Sequence, residues 1–474
     1  MKTTRRGFLQ QTAALLPLLS AWPVRARPAA PPFEFDPSRD IIPAPDDPAQ
    51  WPAFRNTLAR WRAETRERLN YSDALYGRKE FAWASANYCC CFLMACDETF
   101  YNWRAGRYEV DALVAHGRRE FGGYDSVVLW HAYPRLGVDE RNQFDFYRDL
   151  PGGLTGVRRA VRQFHRRGVK VYLDYNPWDT GTRREEASDL ESLVELVRGL
   201  EADGIFLDTM AKGGAEFRAK LDAARPGVIL EGEGAVPLDR VHDHHASWAQ
   251  WFEDSPVPGV LRLKWFERHH MQHQIRRWDF DHTGELQTAW INGSGMMVWE
   301  NVFGSRVPWS RRDRSILRAV LPIQRRFTRL LSGEAWTPLV PVEQPGVFAS
   351  LWEGDGLRLW TLVNRTRNTV TGAMLRVATK PGHRYFDLIT GSEGAARPVG
   401  TDVLLSGTIP PRGVGCFLSG QDKNCGEDFR QFLKRQVQVN ARSAFDAATP
   451  QVPTRLVAVK PTRLRADVPD GMIG

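Results

Sequence analysis

Between about residue 80 and residue 330 the chain alternates short apolar runs with stretches of helical period, and the apolar runs stop on polar or aromatic residues. SVVLW at 126–130 runs into His131, the run at 169–173 into DYNPWD from Asp174, GIFL into Asp208, and VIL into EGEG from Glu231. Between them, Val157, Val161 and Phe164 share one helical face before Gly168 stops the helix. Ser188 and Glu191 make a capping box ahead of Leu190, Leu193, Val194, Val197 and Leu200, and another helix runs through Phe217 and Leu221. Strand and helix in such succession mean parallel strands joined by crossover helices. The two solutions are a closed barrel and an open doubly wound sheet. No G-x-G-x-x-G turn follows any of the strands, which favours a (β/α)8 TIM barrel.

Strands six to eight are placed by their polar ends, at 246–252, 286–292 and 295–301, with 311–331 as a closing amphipathic helix. The barrel is expected over 80–335, after a proline-punctuated arm and a helix over 27–79. From 336 to 420 the pattern changes to short strands split by turns, the signature of a C-terminal antiparallel β-sandwich. Residues 421–474 read as a linker and tail. Their ending, DVPDGMIG, resembles the opening of formylglycine-generating-enzyme-like domains, so a further C-terminal domain is expected beyond this chain.

Thr4-Arg5-Arg6-Gly7-Phe8-Leu9 ahead of a modest apolar stretch reads as a twin-arginine export signal over 1–26, with small residues around Ala26 for cleavage. The expected location is the periplasm or outside the cell, with no membrane attachment after cleavage. Removing that segment takes away Lys2, Arg5, Arg6 and Arg25 and leaves 60 basic against 56 acidic groups. So small a residue of charge argues against a nucleic-acid partner, which needs clustered Lys and Arg. Cys89, Cys90, Cys91 and Cys96 fit no zinc spacing and read as small buried side chains of the first barrel strand. Cys416 and Cys425 stand close enough in sequence to close a loop.

In parallel α/β folds the chemistry sits at the carboxyl ends of the strands. Asp208 directly follows GIFL, where an unpartnered buried carboxylate is costly; the structural alternative is a helix N-cap. Glu231 and Glu233 flank Gly232, and a spacing of two puts both on one face of an extended chain, toward the lumen. Like charges there raise the proton affinity of one of them and favour a proton donor. A strand-four Asp with a strand-five Glu is the pair that glycoside hydrolysis uses.

In this arrangement the chain resembles the (β/α)8 glycoside hydrolases, in pattern nearest the α-amylase-like and α-galactosidase-like groups and similar to less characterised bacterial glycosidase-like proteins. The resemblance implies Asp208 as nucleophile or charge stabiliser and Glu233, after Gly232, as general acid/base, with Glu231 in reserve. The sequence departs from the pattern where Phe206 stands in place of an Arg or Lys two residues before Asp208. Only Asp281-His282 offers itself as a strand-seven His-Asp pair.

Asp174, Asn176, Trp178 and Asp179 combine acceptors, a donor and an aromatic face within six residues, which suits hydroxyls and C–H faces of a sugar. His131, Trp290 and Glu300 complete the expected substrate-binding set; Trp130, Trp248, Trp251 and Trp299 also fall in or after candidate strands. His242, His244 and His245 form one histidine cluster, and His269, His270 and His273 a second. His269 and His273 sit at i, i+4 on an expected helix, a spacing that can hold zinc, although H-E-x-x-H is absent. The reading is therefore a glycosidase acting on carbohydrate with no cofactor and no metal. The alternatives are a non-catalytic carbohydrate-binding module and a histidine-dependent metal hydrolase.

Overall fold

The structure of the protein, a computed structural model, describes residues 32–131, 139–177, 183–249 and 254–445. The expected signal at 1–26, Trp178, Asp179, Trp251 and the DVPDGMIG ending lie outside the described residues.

Eight parallel strands close into a barrel: β1 (Cys89–Met94), β2 (Ser126–Trp130), β3 (Lys170–Tyr175), β4 (Gly204–Leu207), β5 (Ile229–Gly232), β6 (Ala246–Ala249), β7 (Met271–Gln274) and β8 (Met296–Val298). Helix α1 (Trp51–Arg68) precedes it; α2 (Val110–Glu120), α3 (Gly153–Arg166), α4 (Asp189–Leu200), α5 (Ala215–Ala224), α6 (Thr283–Ile291) and α7 (Arg311–Arg326) wrap it or close it. The Ser188–Glu191 capping box opens α4, and Gly168 at φ +76° ends the turn after α3.

Two strand assignments differ from expectation. Residues 286–291 form part of helix α6, with Asn292 as its C-cap, because Leu286, Ala289 and Trp290 recur at i, i+3 and i+4 and all face inward. Strand seven is instead MQHQ, Met271–Gln274, so His269 and His273 are not partners on a helix. That strand carries almost no apolar signal because three of its four residues are Gln or His, all buried, with His273 held between Glu231 and the Asn87 carbonyl.

The pairing register stacks the lumen in layers contributed by alternate strands. Cys90, Tyr172, Glu231 and His273 make the lowest; Val128, Phe206, Trp248 and Met297 lie above them. Phe92, Asp174 and Glu233 follow, and Trp130, Asp208 and Trp299 sit at the mouth. Phe206 stacks on Trp248 at 4.4 Å, and Phe92 packs on both from above.

Behind the barrel, a six-stranded and a three-stranded antiparallel sheet face each other across Trp360, Leu362, Met374, Leu405 and Phe417. Part of the stretch read as linker is a helix, α8 (Phe429–Ala441), which buries Phe429 and Phe432. Cys89, Cys90 and Cys91 are buried in β1, and Cys416 and Cys425 are both free.

Candidate active site

Asp208 leaves β4 at the mouth of the barrel, 6 % exposed. Its Oδ2 accepts hydrogen bonds from Trp130 Nε1 at 3.2 Å and Asn176 Nδ2 at 3.0 Å. Asn176 is locked in place: Gln143 donates to its carbonyl at 2.7 Å and accepts from its N–H at 2.8 Å. Thr209, next along the chain, takes φ +57°, a left-handed conformation that costs a β-branched residue about 1–2 kcal/mol. In that turn its N–H points at Glu233 Oε2, while Arg277, three residues past β7, pairs with Glu233 Oε1. The guanidinium lies over the faces of Trp248 and Trp299, 5.7 and 5.2 Å from their centroids.

Asp208 and Glu233 face one another at the mouth, close enough for each to act on the other's proton affinity. Burial first, then the charge and hydrogen bond of Glu233, push the Asp208 carboxyl up to about 8, against the opposing donor Trp130 and the charge of Arg277. Asp208 therefore holds its proton at neutral pH, while the Arg277 guanidinium and the Thr209 N–H face Glu233. A proton held on one of two facing carboxyls is the resource acid–base chemistry needs.

Asp174 ends β3 beside this pair, and His131 Nε2 stands 2.9 Å from its Oδ2, both side chains fully buried. Burial raises the Asp174 carboxyl above its usual range, the His131 charge opposes this, and Glu233 adds to it. Asp174, Asn176 and His131 thus gather where the sequence placed them, around Asp208 and Glu233.

Three expected site residues do not. Glu231 lies two layers below Glu233, fully buried, with its Oε1 2.6 Å from His273 Nδ1. Burial disfavours the His273 imidazolium, but the Glu231 charge and hydrogen bond outweigh it and hold its proton affinity above the usual range. This is a sealed structural ion pair, with no path to a reacting bond. Trp290 lies on α6 and donates Nε1 to the Gly415 carbonyl at 3.1 Å, joining barrel to sandwich. Glu300 follows β8 on the outer side of the wall, in a cavity of about 220 Å³ beside His116 and Arg306. Its Oε2 is 3.6 Å from His116 and 3.8 Å from Arg306. One position of offset decides this: Trp299 faces the lumen, so Glu300 faces out.

Asp281 pairs with Arg412 and Arg312, and His282 with Glu285, at the start of α6 and away from the mouth. Among the described residues no three His, Cys, Asp or Glu side chains are gathered to hold a metal ion. His244 is engaged by Asp243 and the Gly213 N–H, and His270 by Tyr76 and Ser247. Arg277 is the member that sequence reading missed. The only signal was the Arg-Arg-Trp run after strand seven, hidden because that strand was read as helix.

No family model matches the sequence, and no curated protein matches it. Among solved structures, it is similar to an α-amylase from Geobacillus thermoleovorans complexed with acarbose, at 13% identity and TM-score 0.49, over 72% of this chain and 99% of that one. A cyclomaltodextrinase is similar at 12% identity and TM-score 0.48, over 72% and 79%. An α-amylase from H. orenii is similar at 12% identity and TM-score 0.47, over 71% and 100%. The closed barrel itself, rather than these likenesses, defines the fold.

Proposed function

We propose that the protein hydrolyses O-glycosidic bonds with Asp208 and Glu233 as its carboxylate pair. The observation that carries this reading is their convergence at the carboxyl ends of neighbouring barrel strands, Glu233 held by the N–H of the residue after Asp208, among aromatic side chains. Asp208 is assigned as nucleophile or charge stabiliser: Trp130 and Asn176 orient one of its oxygens and steady the charge it carries when a sugar is bound. Glu233, partly exposed where Asp208 is buried, stands nearer solvent, where a leaving group departs, and is assigned as general acid/base. A retaining reaction needs the carboxyl groups about 5–5.5 Å apart, so the two must separate to admit the bond to be cut. Under this assignment the proton passes from Asp208 to Glu233 before the two carboxyls separate. Glu233 then protonates the glycosidic oxygen as Asp208 attacks the anomeric carbon, and later takes a proton from the water that releases the sugar. The arginine pair at Arg5-Arg6 supports action on glycans outside the cytoplasm.

The test is turnover on a panel of aryl α- and β-glycosides, followed by azide rescue of Asp208→Ala and Glu233→Ala. Rescue of Asp208→Ala should give a glycosyl azide of inverted anomeric configuration, and rescue of Glu233→Ala one of retained configuration. The opposite pairing would exchange the roles. No turnover by wild type on any glycoside, with glycan binding intact, would make the barrel a recognition module.

A further inference from the structure

A continuous aromatic wall runs from Asp208 to solvent. Trp130 donates to Asp208, and the Phe303 ring stands edge-on to Trp130 at 5.1 Å and tilted against Trp299 at 5.4 Å. Trp278 stacks on Phe303 at 5.7 Å with 26° between the planes. These outer two rings are 45 % and 46 % exposed, among the few large apolar side chains of the described residues that face solvent. Trp278 adjoins Arg277, whose guanidinium pairs with Glu233, so the wall reaches the carboxylate pair from two sides.

Both outer residues hold left-handed backbone, Trp278 at φ +60° and Phe303 at φ +51°. Phe303 and Gly304, at φ +84°, are the two-residue turn between the strands Asn301–Val302 and Ser305–Arg306. Positive φ at both central positions makes a type I′ turn, which selects Asn, Asp or Gly at the first. A bulky aromatic there opposes the local preference, and half-exposed rings recover little of that cost through burial. Strain held in exposed rings beside a catalytic pair marks a working surface.

We infer that Trp278 and Phe303 form a stacking platform for a pyranose ring of an oligosaccharide, one position or more beyond the sugar held at Asp208. Flat aromatic faces suit the C–H face of a sugar. The placement of this subsite rests on the glycosidase reading; its binding does not.

Affinity electrophoresis through gels cast with soluble starch, dextran, laminarin, xylan or mucin tests the platform, comparing wild type, Asp208→Asn, Trp278→Ala and Phe303→Gly. At least one polysaccharide should retard wild type and Asp208→Asn alike. Trp278→Ala and Phe303→Gly should each bind it about tenfold more weakly, a factor equal to about 1.4 kcal/mol. Phe303→Gly removes the positive-φ strain, so a melting temperature at or near wild type separates lost binding from lost folding. Equal retardation of all four proteins, or no retardation of wild type in any gel, would overturn the platform. If the platform variants alone lose binding while wild type cleaves no glycoside, the platform stands and the glycosidase reading falls.

Discussion

Glu231 and Glu233, two residues apart at the end of one strand, face the same lumen from opposite sides of the layer formed by Val128, Phe206, Trp248 and Met297. Glu233 faces Asp208 and pairs with Arg277 at the mouth, whereas Glu231 is sealed against His273 below. The two should therefore separate function from stability. Glu231→Gln leaves a buried imidazolium without its counter-charge, at a cost of about 3–5 kcal/mol. Urea denaturation should show that loss, with kcat/KM of the folded fraction unchanged. Glu233→Gln should lower kcat by about 10²–10⁴ and leave the denaturation midpoint near wild type.

Asp208 makes stability depend on pH in a stated direction. Its folded-state proton affinity is raised to about 8 from the ordinary carboxylate value of 3.8. The folded protein therefore holds a proton that the unfolded chain releases between those values. This contribution is fully present below about pH 4 and is lost as pH rises through 8. Asp208→Asn, which cannot ionise, should have a flatter melting profile across that window. Its melting temperature should gain on wild type as pH rises, and a constant difference from pH 5 to pH 9 would contradict the assignment.

Arg277 supplies a cation beside the two carboxyls, paired with Glu233. Arg277→Met should lower kcat/KM by about 10²-fold, the effect of removing one preorganised charge from such a site. With the guanidinium gone, Asp208 loses a positive charge that holds its proton affinity down, so the acidic limb of the pH–rate profile, set by ionisation of the nucleophile, should move to higher pH. Arg277→Lys should restore the limb in part, because it returns the charge without the flat stack on Trp248 and Trp299.

Trp290 serves as a fastening between barrel and sandwich, so its loss should leave sugar affinity alone. Trp290→Ala should destabilise by about 3–5 kcal/mol in equilibrium denaturation, through the cavity and the lost bond to Gly415. KM for any substrate found should stay at the wild-type value. A raised KM with unchanged stability would return Trp290 to the binding surface.

The barrel was legible in sequence because most of its strands announce themselves twice, by a run of apolar residues and by the polar residue at its end. SVVLW-His131 and GIFL-Asp208 carry both signals, and Asp174, Asn176, His131, Asp208 and Glu233 converge accordingly. Strand seven was lost because its four residues include Gln272, His273 and Gln274, all buried and all polar, so no apolar run announces it. With strand seven misread, Arg277 could not be aimed at Glu233, since only closure of the barrel brings them together. Glu300 failed for a smaller reason. The two-residue alternation of a strand assigns Trp299 and Glu300 to opposite faces, and a sequence pattern does not say which face is inside. The backbone at Phe303 was equally hidden, because no local rule calls for an aromatic in that turn.

Helix α6 has a consequence for how the mouth is held. It connects strand seven, which leads to Arg277 and Trp278, with strand eight, which leads to Trp299 and Phe303. The sandwich grips this one helix through Trp290 on Gly415 and through Gln287 Nε2, which donates to the carbonyls of Asn364 and Gly413. The appended β-sheets thus act as a splint on the segment that carries half of the aromatic wall and the arginine of the carboxylate pair. A barrel cut free of them would keep its strands yet lose the bracing that sets those side chains at their working positions.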